Sequence, residues 1–422
     1  MPSETVSLSG HIIDNLTLPR VLDEVINAGY TYRLVELNLG VRHDDASNAR
    51  IEVTTDTEEE MTHLLDQLRV HGANPETVGN AQLVEADMDG ALPPGFYSST
   101  NLETEIHIDG KWLRVTHPEM DCGIVVEGAG ARTVPMGEIR KGMKVVMSGL
   151  GIRALPIERP RGEDREAFEF MISDISSEKP KGLLLDQVAG QMRGVKAEGK
   201  RIMWVAGPAV VHTGTAPDIS ALVRAGYVNA FFAGNGVAAH DVESNIFGTS
   251  LGVHLDRGTP ADHGHEHHIR ALNEVRRQGS FQAAIDAGIF ADGIVYHLVK
   301  HKCDYLFGGS VRDDGPMPET VTDMMAVQQK LRALIWGPDG DDLVGYCIVV
   351  GTMLHGIATG NCLPASVPLV CVDINQATVT KLMDRGSWQS IGIITDLSLF
   401  VRALVERLAP EELAFPARPQ PG

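Results

Sequence analysis

In the C-terminal part of the chain, an acidic residue follows a glycine turn at a spacing that indicates a ligand-binding site. The apolar run YCIVV leads into Gly351 and TMLHG, and the next apolar run, LVCVD, ends in Asp373, 22 positions after that glycine. A carboxylate about 20 positions after such a turn accepts hydrogen bonds from the ribose hydroxyls of a dinucleotide and repels a 2′-phosphate. The spacing indicates an NAD site, although Gly351, Gly356 and Gly360 do not form a GxGxxG pattern.

A second loop combines charges of both signs. The segment GGSVRDDGPMPET follows the apolar run DYLF and contains Arg312, Asp313 and Asp314. Glycines allow the backbone to approach a ligand closely. We interpret the loop as a contact with the nicotinamide ribose or with the amino groups of a substrate. A salt-bridged helix cap is the structural alternative.

Four clustered histidines, His263, His265, His267 and His268, invite a metal interpretation. The segment HGHEHH lacks HExxH spacing, and no cysteine or third carboxylate is spaced to complete a zinc site, so we expect no metal. A solvated loop before a helix is one interpretation of the cluster. A general base at His265 or His268 is the other.

Two lysines, Lys300 and Lys302, end a helical segment just before the run DYLFG. Lysines at such a place usually interact with the helix dipole. A desolvated catalytic lysine is the alternative.

Six short apolar runs must position these residues. Each run is continuous, as expected for a parallel strand that is buried on both faces, and helical segments, including one at 320–335, separate them. The runs are IMWVA, VNAFFA, DYLFG, YCIVV, LVCVD and GIIT. This alternation predicts an α/β fold with a doubly wound, Rossmann-like parallel sheet over residues 200–410, which binds its ligand at the carboxyl ends of the strands.

The first 95 residues predict a different architecture, an α+β unit with the β-α-β-β-α-β order of ferredoxin-like folds. Thr57 is an expected helix N-cap with Glu60 three positions later, as in a capping box. We expect the last strand of this unit at 82–86.

The middle of the chain predicts a small β module at 96–160 and a helical connector at 161–199. Asp109 and Gly110 stand between two alternating runs, which is a strong hairpin signal. The polar stretch 157–165 is an expected linker, followed by helices at about 165–176 and 182–197.

The amino-acid composition argues against nucleic-acid-binding and membrane-spanning classes of protein. The 422 residues carry a formal charge of −20, which argues against the basic surface that nucleic-acid binding needs. No apolar stretch is long enough to span a membrane, and MPSETVSLSG does not have the character of a secretory signal. The five cysteines are scattered, so we expect free thiols in a cytoplasmic protein.

Several long motifs together resemble the archaeal-type ornithine cyclodeaminase family, formerly known as the LOR/SDH conserved domain, which also forms the C-terminal part of cyanobacterial bifunctional arginine-degrading enzymes. The motifs run from about residue 6 to 408: GHIIDNLTLPRVLDEV, FYSSTN, EMDCGIVV, AGPAVVHTGTAP, FAGNGVAAHDVE, GGSVRDDGPMPE, TMLHGIATGNCLP and VCVDINQATVTKL. The C-terminal domain is also similar to deoxyhypusine synthase. The resemblance implies conversion of L-ornithine to L-proline and ammonia with tightly bound NAD⁺, in a homo-oligomer.

The resemblance also implies where the cofactor binds. The matching positions lie in the loops that follow the apolar runs: Asn235, Gly236, Asp314, Thr352, Met353, Leu354, His355, Asp373, Asp396 and Leu397. Relatives commonly have alanine in place of Gly236 and AGS in place of GGS, small changes that leave backbone contacts intact. His265 and His268 match a His-x-x-His pair in the relatives.

For the implied reaction we assign Arg312 to the substrate carboxylate and Asp313 or Asp314 to an ammonium group. His265 or Lys300 is the expected base. Three other functions stay open from the sequence: an NAD-dependent dehydrogenase of the saccharopine type, a transferase like deoxyhypusine synthase, and a non-catalytic NAD-sensing module.

Overall fold

The structure is a computed structural model that describes residues 1–13, 16–40, 45–155, 180–255, 257–261, 264–385 and 390–414. It divides into two compact units. Unit 1 comprises Met1–Glu169 together with Asn361–Ser366, and unit 2 comprises Phe170–Gly360 and Val367–Gly422. The predicted linker at 157–165 and helix at 165–176 lie outside the described residues. The finer division at 95, 160 and 199 stays a prediction.

Unit 1 begins with the predicted ferredoxin-like fold. Its elements are β1 (Ser3–Gly10), α1 (Thr17–Asn27), β2 (Thr31–Asn38), β3 (Ser47–Thr54), α2 (Glu58–Arg69) and β4 (Asn74–Pro75). The antiparallel sheet has the order β2-β3-β1-β4. Apolar side chains on one face of β1 and β3 pack against both helices, and the Thr57–Glu60 capping box begins α2 as predicted.

One strand of the ferredoxin-like unit was predicted wrongly. The run at 82–86 forms a strand at Leu83–Glu85, but this strand pairs with Lys144–Val146 in the second sheet. The two-residue strand β4 completes the first sheet instead. Alternation of apolar residues reveals a strand but does not identify its partner.

The second sheet of unit 1 is the predicted β module. Its strands are β5 (Leu83–Glu85), β6 (Glu103–Ile108), β7 (Lys111–Thr116), β8 (Gly123–Glu127), β9 (Gly130–Val134), β10 (Lys144–Val146) and β11 (Ile152–Leu155). Their order is β11-β6-β7-β9-β8-β10-β5. Asp109 and Gly110 both have positive φ, 49° and 78°, and connect β6 to β7 in the predicted hairpin.

Hydrogen bonds hold the separate segment 361–366 within unit 1. Asn101 Nδ2 donates to the Leu363 carbonyl at 2.6 Å, and the Ala365 amide donates to the Asn101 carbonyl at 2.9 Å. The Met120 amide donates to the Asn361 carbonyl at 2.8 Å. The motifs FYSSTN and EMDC, which contain Asn101 and Met120, therefore bind a stretch of chain far away in sequence.

Unit 2 contains the predicted doubly wound sheet. Its seven parallel strands are β12 (Ile202–Ala206), β13 (Ala230–Gly234), β16 (Asp304–Gly308), β17 (Thr320–Val321), β18 (Tyr346–Val350), β19 (Leu369–Asp373) and β20 (Ser390–Ile394). Their order is β17-β16-β13-β12-β18-β19-β20. A small antiparallel pair consists of β14 (Thr249–Ser250) and β15 (Val253–His254). The α/β class and the Rossmann-like sheet are confirmed.

Helices alternate with these strands. They are α3 (Pro180–Ala197), α4 (Ala209–His212), α5 (Ala216–Arg224), α6 (Asn235–Phe247), α7 (His267–Gln278), α8 (Phe281–Asp286), α9 (Ile294–Lys300), α10 (Met324–Trp336), α11 (Leu354–Cys362), α12 (Gln376–Arg385) and α13 (Leu397–Leu408). The helix predicted at 320–335 begins only at Met324, because Thr320 and Val321 form an edge strand. No helix in the described ranges combines the length and apolar character needed to cross a bilayer.

Candidate active site

The strand order places a switch point between β12 and β18, which are neighbours in the sheet but far apart in the chain. Parallel sheets bind ligands at such a point, beyond the carboxyl ends of the strands. The Gly207 amide donates to the Val350 carbonyl at 3.0 Å, and the Gly351 amide donates to the Val372 carbonyl at 3.0 Å. A Cβ at position 207 would overlap the carbonyl oxygen of Gly351. The two loops therefore meet backbone to backbone, and only glycine fits at 207.

The loop after β18 leads from Gly351, with φ of 60°, into α11. Met353 and Leu354 are exposed there. The His355 ring packs edge-on against Phe232, with 4.8 Å between ring centroids, and burial lowers the pKa of His355. The loop thus presents the amides at the start of a helix together with an imidazole whose burial disfavours protonation.

Two carboxylates follow the neighbouring strands. Asp373 ends β19, is half-buried, and accepts a hydrogen bond from the Asn375 amide at 2.8 Å. Asp396 caps α13 by accepting from the Ser398 amide at 2.8 Å, and hydrogen bonds from the Ser398 hydroxyl and amide lower the pKa of Asp396. Asp373 thus lies at the carboxyl edge where its spacing from Gly351 predicted it.

Leu397, at the start of α13, packs against the loop that follows β18. This side chain is buried, and its Cδ2 lies 3.0 Å from the position that a Cβ on Gly351 would take. Close packing against Leu397 therefore favours glycine at 351, as the positive φ also does.

Asn235 links the loops on the other side of the switch point. This buried amide, the first residue of α6, donates from Nδ2 to Asp313 Oδ1 at 2.8 Å. Its Oδ1 accepts from the Met317 amide at 2.9 Å and from the Thr320 hydroxyl at 3.1 Å. Neighbouring Gly236 faces Pro208, with 3.4 Å between its ideal Cβ position and Pro208 Cγ.

The charged residues of the second loop have separate environments. Asp313 Oδ2 accepts from both the amide and the hydroxyl of Ser310, at 2.8 and 2.9 Å, so this carboxylate holds its own loop together. Arg312 and Asp314 are exposed, and Arg312 forms no ion pair with any described residue. The described residues thus do not form the salt-bridged cap that was the structural alternative.

The structure does not bring Lys300 to this edge. Lys300 ends α9, is exposed, and precedes β16, so it lies at the amino end of that strand. The five residues of β16 span roughly 13 Å between the two edges. Lys300 Nζ lies 5.8 Å from the centre of the Tyr296 ring. The assignment of Lys300 as a base is therefore corrected, and its place near a helix C-terminus agrees with the dipole interpretation.

The histidine cluster is only partly described. His263 and the side chain of His265 lie outside the described residues. His267 Nδ1 is 2.9 Å from the Thr249 hydroxyl, and its ring stacks on Phe247 at 4.6 Å. His268 is exposed. In the described part of the chain, no three His, Cys, Asp or Glu side chains form a group that could hold a metal ion.

A histidine–carboxylate pair near the cofactor loops was missed by sequence reasoning. His240 Nδ1 is 2.9 Å from Oε2 of Glu243, whose side chain is fully buried. Burial acts to raise the pKa of Glu243, but hydrogen bonds from His240, the Gly252 amide and Thr249 outweigh it and lower that pKa. The pair lies within the motif AHDVE at a spacing of three, the one sequence signal that could have revealed it.

His240 has a defined place relative to the cofactor loops. It follows Gly236 by four positions on α6, about one helical turn further along. Its ring lies 4.8 Å from the ring of His212, which ends α4, and 6.5 Å from that of His268. Burial and the charge of His240 lower the pKa of His212. Nε2 of His240 has no hydrogen-bond partner among the described residues, so it is the nitrogen available to a ligand.

Three family models together match nearly the whole chain. The Rossmann-fold C-terminal part of ArgZ-like arginine dihydrolases matches residues 186–404. The LOR/SDH bifunctional enzyme conserved region matches 3–102, and the first C-terminal region of ArgZ-like enzymes matches 103–185.

Individual relatives agree with these models. An ornithine cyclodeaminase from Methanothermobacter thermautotrophicus is 44% identical over 97% of this chain and 98% of its own length. The crystal structure of apo ArgZ, an arginine dihydrolase from cyanobacteria, matches with a TM-score of 0.83 and 34% identity, over 97% of this chain and 58% of ArgZ. A ternary complex of AgrE with ornithine and NAD⁺ matches with a TM-score of 0.52 and 34% identity, over 98% of this chain and 58% of AgrE. The chain therefore belongs to the family of the archaeal ornithine cyclodeaminases and the C-terminal part of ArgZ-like enzymes, as its motifs predicted.

Proposed function

We propose that this protein is an NAD-dependent ornithine cyclodeaminase, which converts L-ornithine to L-proline and ammonia. The observation that carries the proposal is the 44% identity to an archaeal ornithine cyclodeaminase, which extends over 97% of this chain and 98% of the relative. A second relative, AgrE, binds ornithine and NAD⁺ together. The glycine and carboxylate loops of unit 2 supply the kinds of groups that such a reaction needs.

The residues at the switch point fit NAD. The backbone contact of Gly207 with Gly351 leaves no side chain between the loops, so a pyrophosphate can approach the amides at the start of α11. One oxygen of Asp373 accepts from Asn375, and the carboxylate keeps further acceptor capacity for ribose hydroxyls. Asn235, Gly236, Asp314, Thr352, Met353, Leu354, His355, Asp396 and Leu397 complete the proposed cofactor contacts. When bound, NAD supplies a two-electron acceptor that is restored within each turnover.

The substrate needs a cation for its carboxylate and an anion for an ammonium group. We assign the carboxylate to Arg312, because this exposed guanidinium is unpaired among the described residues and can bind a carboxylate in a bidentate manner. Asp314 is exposed beside it, whereas Asp313 already accepts from Ser310 and Asn235. Asp314 therefore suits the ammonium group better than Asp313 does, in addition to its proposed cofactor contact, and Asp313 positions the loop.

The reaction also needs a base that takes a proton from the α-ammonium. His265 stays a prediction from the family resemblance. Among the described histidines, His240 has the geometry of a base, because Glu243 holds Nδ1 and Nε2 has no hydrogen-bond partner in the described part of the chain. Holding the δ-amine close to the α-carbon then makes ring closure an intramolecular step, which proximity accelerates.

The cellular setting is also a proposal. The cysteines Cys122, Cys303, Cys347, Cys362 and Cys371 are all free, which suits a reducing cytoplasm. We further propose that the enzyme acts as a homo-oligomer.

One assay tests the function. Purified protein is incubated with L-ornithine, with and without added NAD⁺, while proline and ammonia are quantified and absorbance at the NADH band is followed. Proline and ammonia in equal amounts, without accumulation of NADH, are expected. Net NADH would instead indicate a dehydrogenase of the saccharopine type. Turnover that requires a polyamine would indicate a transferase, and NAD binding without turnover of ornithine would indicate a sensing module.

A further inference from the structure

Among the described residues, no segment pairs with the outer edge of β2, the edge strand of the ferredoxin-like sheet. All eight residues of Thr31–Asn38 are exposed, and within the described part of the chain β2 pairs only with β3. A long, exposed edge strand presents unpaired backbone amides and carbonyls and readily adds another strand. Most proteins interrupt such an edge with proline, an inward-pointing charge or a covering segment. The eight residues of β2 contain no proline.

Three apolar side chains extend the core of unit 1 to this edge. Tyr32, Leu34 and Leu37 lie opposite Val53, Ile51 and Ala49 of β3, which are buried beneath the helices. The three β2 side chains are nevertheless 39%, 42% and 38% exposed. The apolar face of the sheet thus continues past the region that α1 and α2 cover. An apolar rim of this kind next to an open strand edge marks an interaction surface.

The opposite face of β2 carries one charge of each sign. Arg33 lies opposite Glu52 and Glu36 lies opposite Arg50, and both remain substantially exposed, with 71% and 47% of their side chains accessible. Between them the register shifts, because Val35 is the extra residue of a β-bulge. The bulge puts Arg33 and Glu36 on the same face although they are three positions apart.

This bulge makes β2 self-complementary. In an antiparallel pair centred between Leu34 and Val35, residue 33 of one strand lies opposite residue 36 of the other, and 32 lies opposite 37. Directly opposed residues share a face in an antiparallel ladder. Arg33 would then meet a glutamate on the polar face while Tyr32 meets a leucine on the apolar face. Without the bulge, each of these pairs would fall on opposite faces.

We propose that β2 pairs antiparallel with β2 of a second copy of this chain about a two-fold axis. Arg33 then lies opposite Glu36 of the partner subunit, and Tyr32 opposite Leu37 of the partner subunit. Two four-stranded sheets become one continuous sheet of eight strands, since each unit contributes the four strands in the order β2-β3-β1-β4. The self-matched charges argue for a second copy over an unrelated strand, because an isologous contact must be complementary to itself.

Charge exchange at two positions tests the pairing. The molar mass of full-length wild type, Arg33→Glu, Glu36→Arg and the double variant is measured by light scattering and sedimentation velocity over a range of concentrations. Each single variant places two like-charged pairs across the axis, so we expect the dissociation constant at this interface to rise at least about tenfold. The double variant restores both opposite-charge pairs and should reassemble like the wild type. An equimolar mixture of the two single variants should also assemble.

The contacts within one chain provide the control. Arg33 pairs with Glu52 and Glu36 with Arg50, so the double variant creates two mismatches inside the chain while it repairs the contact between chains. Glu52→Gln removes the intrachain partner of Arg33 and should leave the molar mass unchanged. Circular dichroism and thermal unfolding check that each variant folds. A monomeric wild type, single variants that assemble like wild type, or a double variant that stays dissociated would each overturn the proposal.

Discussion

The two halves of the carboxyl edge in unit 2 hold their polar side chains in different ways. In the loops after β19 and β20, each carboxylate bonds to a nearby amide, as Asp373 does to that of Asn375 and Asp396 to that of Ser398. In the loops after β13 and β16, Asn235 bonds to side chains 78 and 85 positions away.

The two arrangements suit two different tasks, recognition of the cofactor and catalysis. A local turn fixes a carboxylate with one backbone bond and leaves acceptor capacity and nearby amides free for a ligand, which suits recognition of a sugar and a pyrophosphate. A network between distant elements fixes the relative positions of several side chains, which suits chemistry that fails when groups move by about 1 Å. We therefore expect changes in the first half mainly to weaken cofactor binding and changes in the second half mainly to lower kcat, although Asn235, Gly236 and Asp314 are proposed cofactor contacts as well.

The largest effect should come from His240, in the networked half. His240→Gln removes the proposed base, so kcat for proline formation should fall roughly 10²- to 10⁴-fold while NAD binding changes little. Steady-state kinetics and calorimetric titration with NAD⁺ measure the two quantities. His301→Gln, at an exposed position beside the amino end of β16, is the matched control and should retain activity. Unchanged kcat in properly folded His240→Gln would exclude His240 as the base.

The next effect concerns the contact between the two cofactor loops. Gly207→Ala forces a methyl group into the Gly351 carbonyl, so the free energy of unfolding should fall by about 2–3 kcal/mol and NAD binding should weaken. Gly190→Ala is the control, because position 190 is exposed in α3 with open space around it, and a helical glycine replaced by alanine gains about 1 kcal/mol. Denaturant unfolding compares the two. Equal stability of both variants would contradict the described packing of the loops.

A smaller effect is expected from Asp373, which lies in the loops that are proposed to bind the cofactor. Asp373→Asn weakens the proposed hydrogen bonds to the adenosine ribose, which should cost about 1.5 kcal/mol, or roughly tenfold in NAD affinity. It should also reduce the preference for NAD over NADP, because the repulsion of a 2′-phosphate disappears. Calorimetric titrations with both cofactors measure this, with the exposed Asp339→Asn as control. An unchanged NAD affinity would remove Asp373 from the cofactor site.

Asp241, the neighbour of His240 in α6, gives the smallest expected effect. Its buried carboxylate accepts from the amides of Ile294 and Val295 at 3.0 and 2.8 Å, and burial raises its pKa to about 7. An ordinary aspartate titrates near 3.9, so the folded state binds this proton more tightly than the unfolded state. That contribution to stability is complete below about pH 4 and is lost as the pH rises through 7.

The unfolding free energy should therefore fall by about 1 kcal/mol between pH 6 and pH 8 because of this one group. Asp241→Asn should abolish that part of the pH dependence, as measured by denaturant unfolding at both pH values. A wild-type stability that rises over this interval with a slope unaffected by the substitution would contradict the raised pKa. The two substitutions then distinguish the roles of adjacent residues of α6. Asp241 contributes to stability, whereas His240 has a proposed role in catalysis.

Sequence patterns predicted the parallel sheet well, because strands buried on both faces are continuous apolar runs. The bounds of β12, β16, β18 and β19 coincide with the predicted runs for this reason. The two-residue strand β17 was assigned to a helix, since so short a strand has no period, and β5 was assigned to the wrong sheet, since pairing partners are not encoded in alternation.

The candidate site was predictable only where its geometry is local. Asp373 follows from a spacing between consecutive elements, and it lies at the expected edge. The bond between Asn235 and Asp313 depends on how β13 and β16 align, which no local pattern specifies. The prediction that Lys300 is a base was wrong for a related reason. A residue that precedes a parallel strand lies at the sheet edge opposite to the ligand.

The segment 361–366 has a consequence for cutting or recombining this protein. Asn101 and Met120 bond to a strip of backbone that the gene encodes about 240 codons later than Met120. A fragment that stops at residue 169 would keep both sheets of unit 1 but would leave those bonding groups, and the apolar surface near Leu363, facing water. Unit 1 therefore cannot be isolated by cutting the chain at one boundary. A version of unit 1 transferred to another protein would also need the segment 361–366.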